Sequence, residues 1–317
     1  MNALHIGIDT SCYTTSIALV DQEGIVFDQR TMLSVAEGER GLRQSDGVFL
    51  HVRNLPPLID ALMARLDRAR LATVCVSTRP IDAEGSYMPV FLAGRLAAAS
   101  IAGALSVPLT ECSHQAGHLR AALFGNESLL AHDRLFAFHL SGGTTDVLDV
   151  RLEGGRIAGI TRIGGSSDLH AGQLVDRVGV RLGLRFPCGK ELERMAAAAQ
   201  DRTGRVPSSV RGCVCSLSGA ESAFQRMIED LGADGDASAV AYAVFDCLAR
   251  TVAKLIDHLP DGAPVLLSGG VSSSLLLREL LKARTGRTFF AAQPSLSGDN
   301  AVGAALLGRD VWRRAHG

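Results

Sequence analysis

Leu4-His-Ile-Gly-Ile-Asp9 is the first of three strand-like segments, followed by Thr14-Thr-Ser-Ile-Ala-Leu-Val20 and Gly24-Ile-Val-Phe27. Apolar residues recur in them with a period near two, and Asp21-Gln-Glu-Gly24 supplies a turn between the second and the third. This pattern predicts an antiparallel meander at the start of the chain.

A second meander is predicted at Leu135–Leu140, Thr145–Val150 and Arg156–Thr161, with Glu153-Gly-Gly155 as its turn. In both copies the first strand runs into a small polar loop, Asp9-Thr-Ser11 in one and Ser141-Gly-Gly-Thr-Thr145 in the other. The repetition indicates an internal duplication. Because helical patterns follow each meander, we predict an α/β protein with two related lobes and a cleft between them.

The remaining elements complete two lobes. Helices are predicted at 48–70, 88–105, 170–184, 191–200, 219–231, 237–259 and 299–314, and further strands at 72–76, 107–110 and 264–267. We place the N-terminal lobe at residues 1–112 and the C-terminal lobe at 113–298, and expect residues 299–317 to form a helix that packs back at the lobe interface.

The composition excludes several classes of protein. With 47% hydrophobic and 21% charged residues in 317, the chain is neither disordered nor collagen-like. A net charge of -1 argues against bulk electrostatic coating of nucleic acid. Seven cysteines without a CxxC pair predict reduced thiols. The opening residues lack a basic run, and no apolar segment is long enough to cross a bilayer, so we expect a cytoplasmic protein without membrane contact.

The histidines of His114-Gln-Ala-Gly-His118 lie four residues apart, so on a helix they share one face and could share a metal. A third ligand must come from elsewhere, and Asp299, in Ser297-Gly-Asp-Asn300, is a candidate. Two histidines and a carboxylate suit Fe(II) or Zn(II). Alternatively, Asp299 or Ser297 is only a helix N-cap, and the histidines are solvated or packed. Gln115 stands where the zincin motif has its glutamate base, which disfavours a peptidase.

Glycine-rich loops point to a nucleotide. Ser141-Gly-Gly-Thr-Thr145 and Ser268-Gly-Gly-Val-Ser-Ser-Ser274 each follow a strand, and glycines let the backbone approach phosphate oxygens. Together with Asp9 and Ser11, these two loops lead to the hypothesis that the chain binds a nucleotide. Gly269 and Gly270 of the second loop would contribute to that site. Asp176 could bind ribose hydroxyls or be an ordinary exposed helix residue.

The motifs occur in a recognisable order: Gly7-Ile-Asp-Thr-Ser-Cys12, His114-x-x-x-His118, Leu140-Ser-Gly-Gly143, Ala171-Gly with Asp176 and Pro187-x-Gly189, Ser216-Leu-Ser-Gly219, Gly269-Gly-Val271 and Asp299-Asn300. This order resembles the tRNA threonylcarbamoyladenosine transferase family, once called O-sialoglycoprotein endopeptidases, over almost the whole chain. The resemblance implies the actin/hexokinase-like superfold, with two duplicated lobes around a nucleotide and metal cleft.

The resemblance also implies a function. The family moves a threonylcarbamoyl group from an adenylate to the N6 amine of a tRNA adenosine beside the anticodon, with accessory proteins or a paralogous subunit. It implies one divalent metal, iron or zinc, on His114, His118 and Asp299. It implies an ATP-type or adenylate ligand bound by residues of the second lobe: His139, Leu140, Ser141, Gly142, Gly143, Asp176, Gly189 and Ser274.

Several residues depart from the family pattern. Tyr13 and Thr14 replace an Asp-Glu pair, Thr144 replaces a histidine, Ser274 an asparagine, and Glu221 a lysine, while the segment before His51 is shortened to Ser45-Asp-Gly-Val48. Glu221 would repel a phosphate if it faced one. These changes leave two alternatives to an active tRNA transferase: a non-catalytic paralogue serving as a partner subunit, or a carbamoyl transferase with another amine acceptor.

Overall fold

The computed structural model describes residues 2–11, 13–34, 42–231 and 235–316, so Cys12 of the first motif lies outside the described residues. The chain divides into two compact units. The first unit consists of Met1–Gly125 with Gly298–Gly317, and the second unit is Asn126–Ser297.

The first unit begins with the predicted meander. Its elements up to residue 125 are β1 (Leu4–Ser11), β2 (Thr14–Val20), β3 (Ile25–Met32), α1 (Gln44–Met63), a 3₁₀ turn (Arg68–Arg70), β4 (Leu71–Arg79), α2 (Phe91–Leu105), β5 (Leu109–Ser113) and α3 (His114–Leu123). The sheet order is β3-β2-β1-β4-β5. β1, β2 and β3 are antiparallel neighbours, whereas β4 pairs parallel to β1 and β5 parallel to β4.

The second unit repeats this plan with additions. Its elements are a 3₁₀ turn (Glu127–Ala131), β6 (Arg134–Leu140), β7 (Thr145–Glu153), β8 (Arg156–Ser166), α4 (Ala171–Arg181), α5 (Gly189–Ala197), β9 (Ser209–Arg211), β10 (Val214–Ser216), α6 (Ser218–Asp230), α7 (Ala237–Asp257), β11 (Val265–Ser268), a 3₁₀ turn (Gly270–Ser273), α8 (Leu275–Lys282), β12 (Phe289–Ala291) and a 3₁₀ turn (Pro294–Leu296). The sheet order is β12-β11-β6-β7-β8-β10-β9.

The two sheets share one topology. In each, an antiparallel meander is extended beyond its first strand by two parallel strands: β4 and β5 beside β1, and β11 and β12 beside β6. Short β9 and β10 add a second edge to the sheet of the second unit. The repeated order matches the duplication that the two meanders predicted.

The chain returns to the first unit as α9 (Val302–His316). α9 packs on β1 at Gly7, where a Cβ atom would overlap the main chain of Ala301 and Ala305. The sequence prediction placed residues 299–317 at a lobe interface and ended the first lobe at 112. In the structure, the first unit instead extends through α3 to Gly125 because α3 packs on α9.

Several predicted helix boundaries were wrong by a few residues, and two of them have a local cause. The helix predicted to reach Arg70 ends at Met63, since Asp67 caps a separate 3₁₀ turn by accepting from the Ala69 N–H at 3.2 Å. The last helix begins at Val302 rather than at 299, and Asn300 Oδ1 accepts from the Gly303 N–H at 3.3 Å. Neither Asp299 nor Ser297 therefore makes this capping bond, which leaves the Asp299 carboxylate available for another role.

Each unit has its own hydrophobic core. In the first unit, Leu55, Leu58 and Leu62 of α1 pack with the buried aliphatic residues of β1 and β4. In the second, α7 is buried over most of its length and packs with Phe136 and Phe138 of β6. None of the helices in the described residues has the length and apolarity that a membrane crossing requires.

Candidate metal centre and nucleotide loops

The predicted histidine pair lies at the start of α3, and α9 fixes the position of that helix. Ser113 caps α3 by accepting from the Ala116 N–H at 3.1 Å. Gly303 of α9 touches the main chain of Gly117, and a Cβ atom on Gly303 would overlap the Gly117 carbonyl oxygen. Arg120 and Asp310 add a buried two-contact ion pair between the same helices, at 2.5 and 3.3 Å. This packing of α3 on α9 places the start of α3 beside the segment that precedes α9.

His114, His118 and Asp299 meet in the first unit. Nε2 of His118 lies 3.2 Å from Oδ1 of Asp299, and Nε2 of His114 lies 3.5 Å from the same oxygen. The two imidazole rings stand 4.4 Å apart, nearly perpendicular. One ligand atom from each residue falls within 4.8 Å of the others. The structure thus brings together all three residues predicted as metal ligands.

Asp9, which the sequence analysis assigned to nucleotide binding, lies beside this centre. Its Oδ1 lies 2.9 Å from Nδ1 of His114 and accepts from the Ser77 hydroxyl, while Oδ2 accepts from the Ser11 N–H at 3.3 Å. Asp9 is almost fully buried. A carboxylate on Nδ1 orients the ring and leaves Nε2 directed at Asp299, which is the arrangement seen behind histidines that bind metals. Ser77 carries no sequence signal that marks it for this role.

The charges of the centre depend on one another. Burial opposes protonation of His114, but the carboxylates of Asp9 and Asp299 outweigh it and hold the pKa of His114 well above its usual value. Burial and the charge of His114 lower the pKa of His118. Burial would raise the pKa of Asp299, yet hydrogen bonds from His114 and His118 hold it well below the ordinary value. Without a metal, these shifts favour an ionised Asp299 and a protonated His114, and binding of a metal at Nε2 would require His114 to release that proton.

The donor set fits a divalent transition metal. Two imidazole nitrogens and one carboxylate oxygen suit Fe(II) or Zn(II) and leave coordination positions open. His118 is buried, whereas His114 and Asp299 are 20% and 28% exposed in their side chains, so a ligand can reach the centre from their side. Ser11, also predicted to bind nucleotide, is buried beside Asp9, and its Oγ has no hydrogen-bond partner in the part of the chain that the structure describes.

The first glycine-rich loop of the second unit is a tight, pre-formed turn. The Ser141 N–H donates to the Thr144 carbonyl oxygen at 2.9 Å, and the Thr144 N–H donates to the Ser141 hydroxyl at 3.1 Å. Gly172 of α4 packs against this loop, where a Cβ atom would overlap Gly142. Gly142 and Gly143 themselves are exposed, with open space where their Cβ atoms would be. The hydrogen bonds between Ser141 and Thr144 close the loop, and its two glycines are open to a ligand.

The residues just before this loop have structural partners. Nδ1 of His139 lies 3.1 Å from the Ser268 hydroxyl, which joins β6 to the end of β11. Leu140 is part of the hydrophobic core, so only its main chain can contact a ligand. Gly269 has φ of 86° and lies against the Leu140 main chain, where a side chain would overlap it. Gly270, by contrast, is exposed.

The other residues predicted to bind the nucleotide lie around α5, where they make two sets of hydrogen bonds. Asp176 accepts from the Cys188 N–H at 2.8 Å, next to Gly189, and burial raises its pKa. Ser274 caps α8 by accepting from the Leu277 N–H at 3.1 Å, and it donates to Glu193 at 2.9 Å. Glu193 was not identified in the sequence analysis. Its spacing was a signal that the sequence contained, because a residue four positions after Gly189 lies on the same face of the helix.

Glu221, which the sequence analysis expected to repel a phosphate, has its negative charge balanced within the second unit. Both of its carboxylate oxygens lie close to Nη1 of Arg177, at 3.1 and 3.0 Å, and this pair joins α6 to α4. Arg177 thus balances the charge that replaced the family lysine. The adjoining Ser216-Leu-Ser-Gly219 motif is held by Asp168, which accepts from the Ser216 hydroxyl at 2.6 Å and the Leu217 N–H at 2.8 Å.

The sequence matches one enzyme family over most of its length. A family model for tRNA N6-adenosine threonylcarbamoyltransferase matches residues 48–306. Curated relatives of that name include one from Archaeoglobus fulgidus, 25% identical over 98% of this chain and 92% of its own. Another, from Lacticaseibacillus casei, is 27% identical over 99% of this chain and 93% of its own.

Solved structures show the same fold. Component A of the Acidaminococcus fermentans (R)-2-hydroxyglutaryl-CoA dehydratase matches with a TM-score of 0.58 at 16% identity, covering 98% of this chain and 99% of that one. HypF from T. kodakarensis matches with a TM-score of 0.59 at 15% identity, covering 99% of this chain and 48% of that one. The fold is therefore the actin/hexokinase-like α/β superfold that the family resemblance implied.

Proposed function

Because this chain belongs to the tRNA N6-adenosine threonylcarbamoyltransferase family, we propose that it transfers a threonylcarbamoyl group from an adenylate to the N6 amine of a tRNA adenosine beside the anticodon. The observation that carries the proposal is the convergence of His114, His118 and Asp299 in the first unit. These residues would hold one Fe(II) or Zn(II). The protein would act in the cytoplasm together with accessory proteins or a paralogous subunit of the same pathway.

The metal, when bound, supplies Lewis acidity toward a carbonyl or phosphate oxygen. The chain supplies the rest of the centre. Asp9 keeps His114 oriented by holding its Nδ1, and Ser77 donates to Asp9 in turn. The exposed edges of His114 and Asp299 admit an anionic or carbonyl oxygen, while burial of His118 excludes water from the opposite side.

The second unit would bind the adenylate. The exposed, hydrogen-bonded turn at Gly142 and Gly143 allows main-chain N–H groups to approach a phosphate. Asp176 and Glu193 are carboxylates suited to ribose hydroxyls. Asp176 is half-buried next to Gly189, and Glu193 is already fixed by Ser274 and by the Leu276 N–H at 3.0 Å. The shorter side chain of Ser274 would therefore act mainly through Glu193.

A transfer assay tests the reaction. Purified chain, threonylcarbamoyl-AMP, unmodified tRNA and the pathway's accessory proteins are combined, and modified adenosine is measured for wild type, His118→Ala and the exposed control His132→Ala. Loss of a ligand that contributes several kcal/mol should reduce the rate at least about 100-fold, whereas His132→Ala should match wild type. Full activity of His118→Ala would exclude a catalytic role for the metal.

A binding assay separates the alternatives. Calorimetric titration with AMP should show binding that falls about tenfold in Asp176→Ala, a loss of about 1.4 kcal/mol, and is unchanged in Asp261→Ala, a control on an exposed turn. AMP binding without any tRNA modification would favour a different amine acceptor. Absence of both, with retained binding to a paralogous transferase, would favour a non-catalytic subunit.

A further inference from the structure

Arg30 of β3 lies beside the ligand segment, although no motif in the sequence singles it out. Its Nη1 donates to the main-chain carbonyl oxygen of Asp299 at 3.3 Å. Its Nε and Nη2 donate to the two carboxylate oxygens of Asp28 at 3.2 and 2.5 Å. A two-contact pair of this kind fixes the plane of the guanidinium, so the third contact has a defined direction.

Strand register explains how Arg30 reaches this site. Asp9 of β1 pairs with Ser16 of β2, and Ser16 pairs with Arg30 of β3. Paired residues on neighbouring strands project from the same face of a sheet, and Asp28, two positions earlier, shares that face. The face on which Asp9 orients His114 is therefore the face from which Arg30 contacts Asp299.

Asp299 depends on such support more than the two histidines do. His114 and His118 are held by α3, whereas Asp299 precedes α9 in a segment without regular structure. Within this segment, Asn300 Nδ2 donates to the Gly298 carbonyl oxygen at 2.8 Å, which shapes the turn locally. The bond from Arg30 ties the main chain of Asp299 itself to the sheet.

We propose that Arg30, oriented by Asp28, is a positioning residue of the metal centre that holds the Asp299 carboxylate within reach of His114 and His118. The inference rests on the metal site of the proposed function. Outer residues that orient metal ligands change metal affinity by about 10- to 100-fold when they are replaced. Arg30→Met keeps the aliphatic part of the side chain and removes the hydrogen bonds to Asp28 and to the Asp299 carbonyl oxygen, so it should raise the Kd for Zn(II) at least about tenfold.

The test is a competition titration of the full-length apoprotein with Zn(II) against a chromophoric chelator. It compares wild type with Arg30→Met and Asp28→Asn, and uses His118→Ala as the reference for a lost ligand. Arg134→Met is the matched control, because Arg134 also lies on a strand and donates to both oxygens of an aspartate, Asp149, at 2.8 and 2.8 Å. Visible spectra of the Co(II)-loaded proteins report the coordination geometry, which a general loss of stability would not alter.

Weaker Zn(II) binding and a changed Co(II) spectrum in Arg30→Met, a smaller loss in Asp28→Asn and no change in Arg134→Met would support the proposal. Wild-type affinity and spectrum in Arg30→Met would overturn it. If Arg30→Met does not fold, Arg30→Lys keeps the charge and one donor but loses the two-contact pair with Asp28, so it should still bind Zn(II) more weakly than wild type; wild-type affinity and spectrum in Arg30→Lys would then overturn the proposal. Failure of wild type itself to bind Zn(II) more tightly than His118→Ala would instead overturn the metal site on which the proposed function depends.

Discussion

Gly117 and Gly303 touch main chain to main chain where α3 packs on α9. A Cβ atom on Gly303 would overlap the Gly117 carbonyl oxygen, so a side chain there would push the helices apart and move His114 and His118 away from Asp299. The buried Arg120–Asp310 pair reinforces the contact one turn further along α3. The geometry of the candidate metal centre therefore depends on Gly303, which is not itself one of the proposed ligands.

Gly303→Ala should damage both the fold and the metal centre. The added methyl group would overlap the Gly117 carbonyl oxygen, and overpacking of this kind costs about 3 kcal/mol in the free energy of unfolding. Urea unfolding and Zn(II) titration measure the two effects. Gly103→Ala is the matched control, since its Cβ atom meets open space in α2 and should stabilise the chain by up to about 1 kcal/mol. Equal stability of the two variants would contradict the packing described for α3 and α9.

Asp9→Ala should lower the affinity for Zn(II) by about 10- to 100-fold without removing a ligand. The reason is that His114 loses the acceptor at its Nδ1, 2.9 Å away, and is free to rotate. Asp9→Asn retains an acceptor oxygen, so it should fall between Asp9→Ala and wild type. Metal competition titrations distinguish the three proteins, and an affinity in Asp9→Ala equal to that of wild type would show that ring orientation has no part in binding.

The stability of the first unit should fall in acid because of His5. This fully buried histidine shares a hydrogen bond of 3.0 Å with Thr73, and burial together with the charges of Arg309 and Arg313 lowers its pKa to about 4. The unfolded chain takes up the proton near pH 6.5 and the folded chain only near 4. Stability from this source is therefore complete above pH 6.5 and declines as the pH falls toward 4.

Between pH 7.5 and 4.5 this difference amounts to about 2.5 kcal/mol. Urea unfolding at both pH values should show that wild type loses about that much more stability than His5→Leu, which cannot titrate. The exposed histidine variant His132→Leu should behave as wild type does. Parallel losses in wild type and His5→Leu would mean that other groups account for the acid sensitivity.

Ser274→Ala should destabilise the second unit by about 1 kcal/mol because α8 loses its N-cap and Glu193 loses a donor. Ser274→Asn restores the residue typical of the family. Asparagine is an equally good N-cap, so the stability of this variant should remain within a few tenths of a kcal/mol of wild type. Thermal unfolding compares the three proteins, and a neutral effect of Ser274→Ala would rule out the capping role.

Local patterns in the sequence were enough to predict most of the elements. The period of two in both meanders and the spacing of leucines in α1 depend only on neighbouring residues, and the structure has strands and helices there. The short strands β9, β10 and β12 were not predicted, and α3 was not among the predicted helices. Three of these are three-residue strands whose existence depends on pairing with distant partners, and such pairing leaves little trace in a local pattern.

The sequence by itself determined the duplication, the family and the chemistry of the candidate metal ligands, because residue types and helical spacing decide which atoms can bind a metal and which face they share. Only the tertiary structure decided which other groups surround them. Asp9, Ser77 and Arg30 reach the centre through strand register, and α3 reaches α9 through two glycines 186 positions apart. Such contacts arise from packing between segments distant in the chain, which no local periodicity encodes.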